Sequence, residues 1–290
     1  MSLSKLHNLA CPLDGEALLL NERQLICKNG HSFDVARQGY VNLLPVQQKR
    51  SKDPGDSKEM VLARSQFLNT GVYAPIANKL AETVNELTGE TGEDSERSLL
   101  DAGCGEGYYT DVVYRYLQKQ NPGKLFSVVG LDISKPAVHE AAKRNKDIAW
   151  IVGTNRQPPL LENSVDIILC VFGFQSFEGF QKILKTGGKI ILIEPGPDHL
   201  TELREIIYTE VKKTEPMDLS HLEETRLVLE DIQHLKFSTG LIKKESIKDL
   251  LLMTPHFFRA NNEGRETALN LAEINLSVDV VIRVLQKNNP

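Results

Sequence analysis

The sequence predicts an α/β fold: a mostly parallel, Rossmann-like sheet flanked by helices, with a small cysteine-bearing module in front of it. Three observations carry this expectation. Short apolar runs alternate with amphipathic stretches from Ser98 to Ile193, the pattern of repeated βα units. The first run, Leu99-Leu100-Asp101, ends on an acid and turns through Gly103, Gly105 and Gly107 into a helix. Residues 8–34 hold two turns, each headed by a cysteine, between short apolar strands.

The N-terminal stretch, residues 1–45, comes first. Cys11-x2-Asp14 and Cys27-x3-His31 have the spacing of a zinc ribbon, with an Asp where a second Cys is usual. Thiolate, imidazole and carboxylate all bind zinc in tetrahedral structural sites. The harder Asp14 carboxylate holds the metal less tightly than a thiolate would. The plainer alternative is a knuckle that folds on its own small apolar core. Tyr40, Val41, Leu43 and Leu44 read as a strand edge that packs the knuckle onto the next segment.

Residues 46–97 form the second unit. Lys49 to Ser57 is a basic loop ending in a turn, either a solvated linker or a phosphate-contacting loop. Ser57 caps a helix to about Asn69 that stops at Gly71, and Pro75 opens a second with Ile76, Leu80, Val84 and Leu87 on one face. The acidic, glycine-bearing stretch from Thr88 to Arg97 is the clearest composition break.

Residues 98–290 form the third unit. Strands are expected at Ser98–Ala102, Leu125–Leu131, Ala149–Val152, Val165–Val171 and Lys189–Ile193, the last after a Gly187-Gly188 turn. Helices are expected over Tyr108–Gln118 and from Ser134 to Arg144. Further on, Arg226–Phe237 reads as a strand and Lys243–Met253 as a helix, stopped before Pro255. Residues Ile274 to Val284 alternate like an edge strand with one wet face. In such sheets ligands bind beyond the carboxyl ends of the strands. Asp101, Asp132, Thr154, Phe172 and Glu194 all stand at strand ends, with His199 shortly beyond.

The glycine loop carries the most specific chemistry. Gly103, Gly105 and Gly107 let the backbone bend sharply and approach a ligand where a Cβ would intrude. The helix behind them aims unpaired N–H groups at that ligand. The acid precedes the glycines, and their spacing is G-x-G-x-G, unlike the G-x-G-x-x-G fingerprint of dinucleotide folds. This arrangement suits a ligand with a cationic or zwitterionic end. Asp132 is placed to accept hydrogen bonds from ribose hydroxyls, and Thr154 to lie near an adenine edge.

Bulk properties narrow the classes. A net charge of −5 argues against nonspecific coating of nucleic acid, though not against an enzyme with a local basic patch. No membrane span and no basic-then-apolar leader are read, so a cytoplasmic protein with reduced cysteines is expected. His139, His221 and His234 have no partners at metal or triad spacing.

Asp101 to Gly107 resembles the cofactor loop of class I S-adenosylmethionine (SAM) methyltransferases. Together with the knuckle, Gly39 to Gln47, Asp53 to Ser57 and Pro195-Gly196-Pro197-Asp198-His199-Leu200, it resembles the bacterial 23S ribosomal RNA guanine-N1 methyltransferases over nearly the whole chain. The resemblance implies a zinc-binding RNA-recognition module before a class I methyltransferase domain, and a homodimer that acts on an RNA hairpin, with neither DNA nor membrane as partner. It implies Cys11, Cys27 and His31 as zinc ligands, with Asp14 in the place of the family's fourth Cys. It implies Tyr73, Gly105, Glu106 and His199 as SAM contacts, beside Asp101, Gly103, Gly107, Asp132 and Thr154. A second departure lies at Phe172-Gly173-Phe174-Gln175, where the family usually has an aromatic, a small residue and Pro.

The expected reaction is SAM-dependent methylation of guanine N1. That atom lies on the Watson–Crick edge, so the base must be unpaired or extruded. Phe172 or Phe174 is a candidate to stack on it, and Glu194 or Asp198 to take its proton. The sequence singles out no catalytic residue beyond these candidates. Two rivals stand beside this reading: a methyltransferase of a small molecule or protein with the knuckle as a lid, and a non-catalytic RNA-binding module holding SAM.

Overall fold

The computed structural model describes residues 3, 6–49, 51–89, 96–211, 218–219, 222, 224–254, 256 and 260–289. Residues 90–95 of the acidic linker, His221 and Pro255 lie outside the described residues. The knuckle is a three-stranded antiparallel sheet of β1 (Leu18–Asn21), β2 (Gln24–Cys27) and β3 (Ser32–Asp34). It is followed by β4 (Tyr40–Asn42). Next come α1 (Lys58–Asn69) and α2 (Ala74–Gly89). The Ser57 hydroxyl accepts the Met60 N–H at 3.3 Å, the N-cap expected from sequence.

The alternating section is β5 (Arg97–Ala102), α3 (Tyr108–Gln120), β6 (Phe126–Asp132), α4 (Lys135–Arg144), β7 (Ala149–Val152), β8 (Val165–Val171), α5 (Phe177–Ile183) and β9 (Leu184–Pro195). It continues with α6 (Thr201–Ile207), β10 (Leu227–Lys243), α7 (Lys244–Met253), α8 (Asn262–Asn270) and β11 (Glu273–Lys287). The main sheet has eight strands in the order β10-β11-β9-β8-β5-β6-β7-β4. Strands β4 to β9 run parallel, and β11 pairs antiparallel with both β9 and β10. The order reverses between β5 and β8, which opens a crevice at their carboxyl ends.

Alternation along the strands divides the apolar side chains between two cores. On one face Leu99, Val128, Trp150, Ile167 and Ile191 pack with Phe67, Ile76, Val113 and Val138 from α1 to α4. On the other face Leu100, Val129, Ile168 and Ile190 pack with Phe180 of α5 and with Leu9, Cys11, Leu18 and Cys27 of the knuckle. The knuckle therefore covers part of one sheet face. Backbone bonds fix it there: Ala10 N donates to Pro159 O at 3.0 Å and Leu161 N to Asn8 O at 2.8 Å. The expected strand edge at Tyr40 is β4 itself, which joins the main sheet beside β7.

Three expectations change. Strand β9 begins at Leu184, not Lys189, because Gly187 (φ 75°) makes an irregularity within the strand rather than a turn before it. Strand β10 runs past Phe237 to Lys243, since pairing with β11 resumes beyond a register shift near Gly240. Strand β11 is not an edge: β10 covers its outer side, and its polar alternates Asp279 and Arg283 are buried. Polar residues that face a site mimic a wet face in sequence.

Candidate active site and metal centre

Each half of the knuckle site is a tight turn. Gly15 N bonds back to Cys11 O at 2.8 Å and Gly30 N to Cys27 O at 3.0 Å, and both glycines have positive φ (78° and 84°). These turns bring one ligand atom each of Cys11, Asp14, Cys27 and His31 within 4.8 Å of one another. His31 Nδ1 lies 3.5 Å from each cysteine Sγ, and Cys27 Sγ 3.5 Å from Asp14 Oδ2. Zn–S bonds of ~2.3 Å and Zn–N or Zn–O bonds of ~2.0–2.1 Å give tetrahedral edges of about 3.5 Å, so the donor set fits zinc. Asp14 accepts from Asn29 Nδ2 (2.9 Å), Glu16 N (3.0 Å) and His31 Nδ1 (2.9 Å). The Asn29 amide holds its carboxyl well below the usual carboxylate range. Burial and the neighbouring Asp14 push the Cys11 thiol up to about 11, an effect a bound cation would reverse.

The cofactor loop is built at the end of β5. Gly103, Gly105 and Gly107 have φ of 91°, 56° and 82°. At Gly107 a Cβ would stand 2.6 Å from the Trp150 ring and 3.0 Å from Ala141 Cβ, so this glycine also lets α3 seat against the core. Gly105 N donates to Asp132 Oδ2 (2.9 Å) and Ser134 N to Asp132 Oδ1 (2.7 Å), which fixes the β6 acid beside the loop. Asp101 is only 1% exposed. Thr110 donates to its Oδ2, while Oδ1 is buried with no hydrogen-bond partner among the described residues. Burial, then the charges of Asp132 and Glu106, push its carboxyl up to about 7. Burial also raises Glu106 and Asp132. A crowded acidic pocket with an orphaned carboxylate oxygen fits a ligand that brings positive charge.

Other expected residues gather on the same rim. Tyr73, buried just before α2, has its hydroxyl 3.4 Å from His199 Nε2. His199 Nδ1 accepts the Asp279 N–H at 3.3 Å, which leaves the ring proton on Nε2, facing Tyr73. Burial, then the nearby His256, lowers His199 to about 4, so it is neutral at physiological pH. Thr154 accepts from Arg156 N at 3.3 Å, and Gly153 N bonds Asp132 O at 3.0 Å, placing this turn beside the β6 acid.

The loop after β8 is strained and exposed. Phe172 has φ 52° and a ring centroid 5.9 Å from that of His199. Phe174 is 57% exposed, with the Arg156 guanidinium 4.9 Å over its ring centroid. Asn155 Nδ2 donates to Phe174 O at 2.8 Å and lies 3.7 Å from where a Cβ on Gly103 would be, joining this loop to the glycine loop. Glu194 pairs with Arg283 and accepts from Gln175 Nε2 at 3.0 Å. Asp198 pairs with Lys236 at 2.9 Å.

Sequence reasoning missed Arg64, Asp56, Asp279, Arg283 and Arg156. Arg64 was legible only as one of the helically spaced residues of α1, yet its guanidinium pairs with Asp56 and reaches the Met253 carbonyl at 3.3 Å. Gly55 was the available hint for Asp56: with φ 83° and Ser134 Cβ 2.8 Å from an added Cβ, it docks that loop on the cap of α4.

The family profile described as RlmA, N-terminal matches residues 9–52, and a methyltransferase domain profile matches residues 100–192. The 23S rRNA (guanine(748)-N(1))-methyltransferase of Streptomyces fradiae is 36% identical over 67% of this chain and 66% of its own length. A protein of Micromonospora griseorubida, provisionally named a 23S rRNA (guanine-N(1)-)-methyltransferase, is 33% identical over 68% of this chain and 69% of its own. YxjB of Bacillus subtilis, provisionally named in the same way, is 27% identical over 96% of both chains. With a class I methyltransferase sheet behind a zinc-ribbon knuckle, this chain belongs to the 23S rRNA (guanine-N1)-methyltransferase family.

Proposed function

We infer that the protein transfers a methyl group from SAM to N1 of a guanosine in a hairpin of 23S ribosomal RNA. The observation that carries this reading is the exposed Phe172–Phe174 loop, with Arg156 stacked over Phe174, tied by Asn155 to the glycine loop. Splayed RNA bases stack on aromatic rings and guanidinium planes. Gln48 donates to Gln157 at 2.7 Å, so Lys49, at the head of the basic stretch, lies near the same rim. A phosphate-contacting role for that stretch supplies local positive charge on a chain of net charge −5.

SAM bound at the loop supplies an electrophilic methyl group on its sulfonium. Gly103, Gly105 and Gly107 would cradle it, Asp132 would accept from its ribose hydroxyls, and Thr154 would border its adenine. Tyr73 and the Nε2–H of neutral His199 face the amino-acid end, with Glu106 and Asp101 as nearby acids. The protein then acts mainly by orientation, aligning N1 in line with the methyl–sulfur bond. Phe172 stacks on the target base and Phe174 on a neighbouring one. The N1 proton leaves to a rim carboxylate, for which Glu194, held by Arg283 and Gln175, and Asp198, paired with Lys236, are the two candidates. Cys11, Asp14, Cys27 and His31 would hold a structural zinc, which would brace the two turns of the RNA-recognition module.

The functional division runs over residues 1–45, 46–97 and 98–290. A homodimer and a cytoplasmic setting complete the reading. No described helix is long and apolar enough to cross a membrane. The test is tritium transfer from labelled SAM to transcribed 23S hairpins, with the product mapped by reverse-transcription stops, since N1 methylation blocks base pairing. Stops at one guanosine, weakened about tenfold or more by Phe174→Ala, are expected. Transfer only to small molecules or protein would overturn the assignment.

A further inference from the structure

We propose that Arg64 is the anion-binding group of the cofactor pocket, pairing with the carboxylate at the amino-acid end of SAM above Gly105. The proposal rests on the SAM reading above and adds a residue that neither the glycine loop nor the rim supplies. The pocket has an imbalance to correct. Asp101, Glu106 and Asp132 surround the loop, and Tyr73 and neutral His199 bring hydrogen bonds but no positive charge. SAM carries a sulfonium and an ammonium, which suit those acids, but also a carboxylate, which they repel. A carboxylate taken out of water needs a cation with matching donors.

Two guanidiniums flank the loop. Arg144 is engaged by the Glu106 carbonyl (3.2 Å), the Glu106 carboxylate (3.4 Å), Asn69 (3.0 Å) and Ser65 (3.4 Å). Arg64 bonds Asp56 and the Met253 carbonyl, and its remaining N–H groups have no partner among the described residues. A guanidinium has five N–H donors in a planar fork, the geometry that grips a carboxylate through two parallel bonds. Its side chain is 23% exposed, and Asp56 and Met253 hold it from two separate segments, so it is positioned before the ligand arrives. Arg64 Nη1 and Cδ stand 3.6 and 3.7 Å from where a Cβ on Gly105 would be, so the guanidinium lies at contact distance from the cofactor loop. The acids that face Arg64 are Asp56, Glu106 and Asp132. Asp56 anchors it, and the other two belong to the pocket.

The test is calorimetric binding of S-adenosylhomocysteine and of its decarboxylated analogue, which keeps the sulfur, adenosine and amine. The full chain binds the first at least about tenfold more tightly than the second. Arg64→Gln weakens S-adenosylhomocysteine by about tenfold or more and the analogue by less than about twofold, and Arg64→Lys falls between. Equal losses on both ligands would reduce Arg64 to a support of the loop, and no loss on either would remove it from the site. Both outcomes overturn the proposal while leaving the SAM reading intact. Failure of the unaltered chain to bind either ligand would overturn the SAM reading itself.

Discussion

Two carboxylates, Asp14 within the first knuckle turn and Asp101 before the glycine loop, have opposite surroundings. Asp14 is on the surface and accepts hydrogen bonds from Asn29, Glu16 and His31, which keep it ionised. Asp101 is buried beside two other acids and, among the described residues, accepts from Thr110 alone and has one oxygen without a partner. The first has its hydrogen bonds met within its own short segment, beside Cys11, Cys27 and His31. The second is costly until a ligand arrives. A structural site is satisfied locally, whereas a site for an exchanging cofactor keeps unmet demand.

The comparison breaks most visibly at the knuckle. Cys27→Ser changes a residue of the proposed zinc cluster that is also a core residue beneath the sheet. Metal analysis is expected to fall from about one zinc per chain to near none, with the melting temperature down by about 10 °C or more. If zinc and stability both persist, the four residues are not a metal centre. Gly107→Ala comes next, because its Cβ would meet the Trp150 ring at 2.6 Å on a backbone with φ 82°. A loss of about 2–3 kcal/mol is expected by denaturant unfolding, with zinc content unchanged.

Asp101→Asn sharpens the contrast. The folded-state pKa of about 7 lies above the ordinary 3.8, so between those values the folded protein binds more protons than the unfolded one. Stability therefore falls as pH rises from about 4 to about 7, and the whole penalty is present above that window. The Asn variant is expected to melt a few degrees higher than the parent at pH 8 without ligand, to lose that advantage at pH 4, and to bind S-adenosylhomocysteine more weakly. A parent that melts at the same temperature as the variant across this range would sink the account. The smallest effect belongs to Asp14→Cys. Asp14 enters the site already ionised, whereas a new thiol must lose a proton to bind zinc. Chelator competition should show tighter zinc in the variant at pH 8, with a pH dependence steeper by about one proton.

The same contrast explains what could be read in advance. Cys11, Asp14, Cys27 and His31 form one short turn–strand–turn unit, and their spacing alone groups them. Asp101, Asp132 and Glu194 are legible because βα periodicity puts strand ends on one rim. Tyr73 enters only through family resemblance, while His199 is placed by its position just beyond the last of those strand ends and given a cofactor role by the resemblance. Arg64, Asp56 and Asp279 have no signal of their own: an arginine on an amphipathic helix and an aspartate in an alternating strand look like surface residues. Strand β11 reads as an edge for that reason, since Asp279 and Arg283 sit at the periodicity of a wet face while pairing inside the protein.

By itself the sequence determined the order of elements, the turn geometry at the glycines and the grouping of Cys11, Asp14, Cys27 and His31 in the knuckle, because each depends on turns formed within a few positions of one another. Only the tertiary structure decided that the knuckle covers part of one face of the main sheet, that β10 shields β11, and that Arg64 stands over Gly105. Those facts depend on which distant segments share a core and which charges are left facing one another once it has formed. Local propensity carries no information about either.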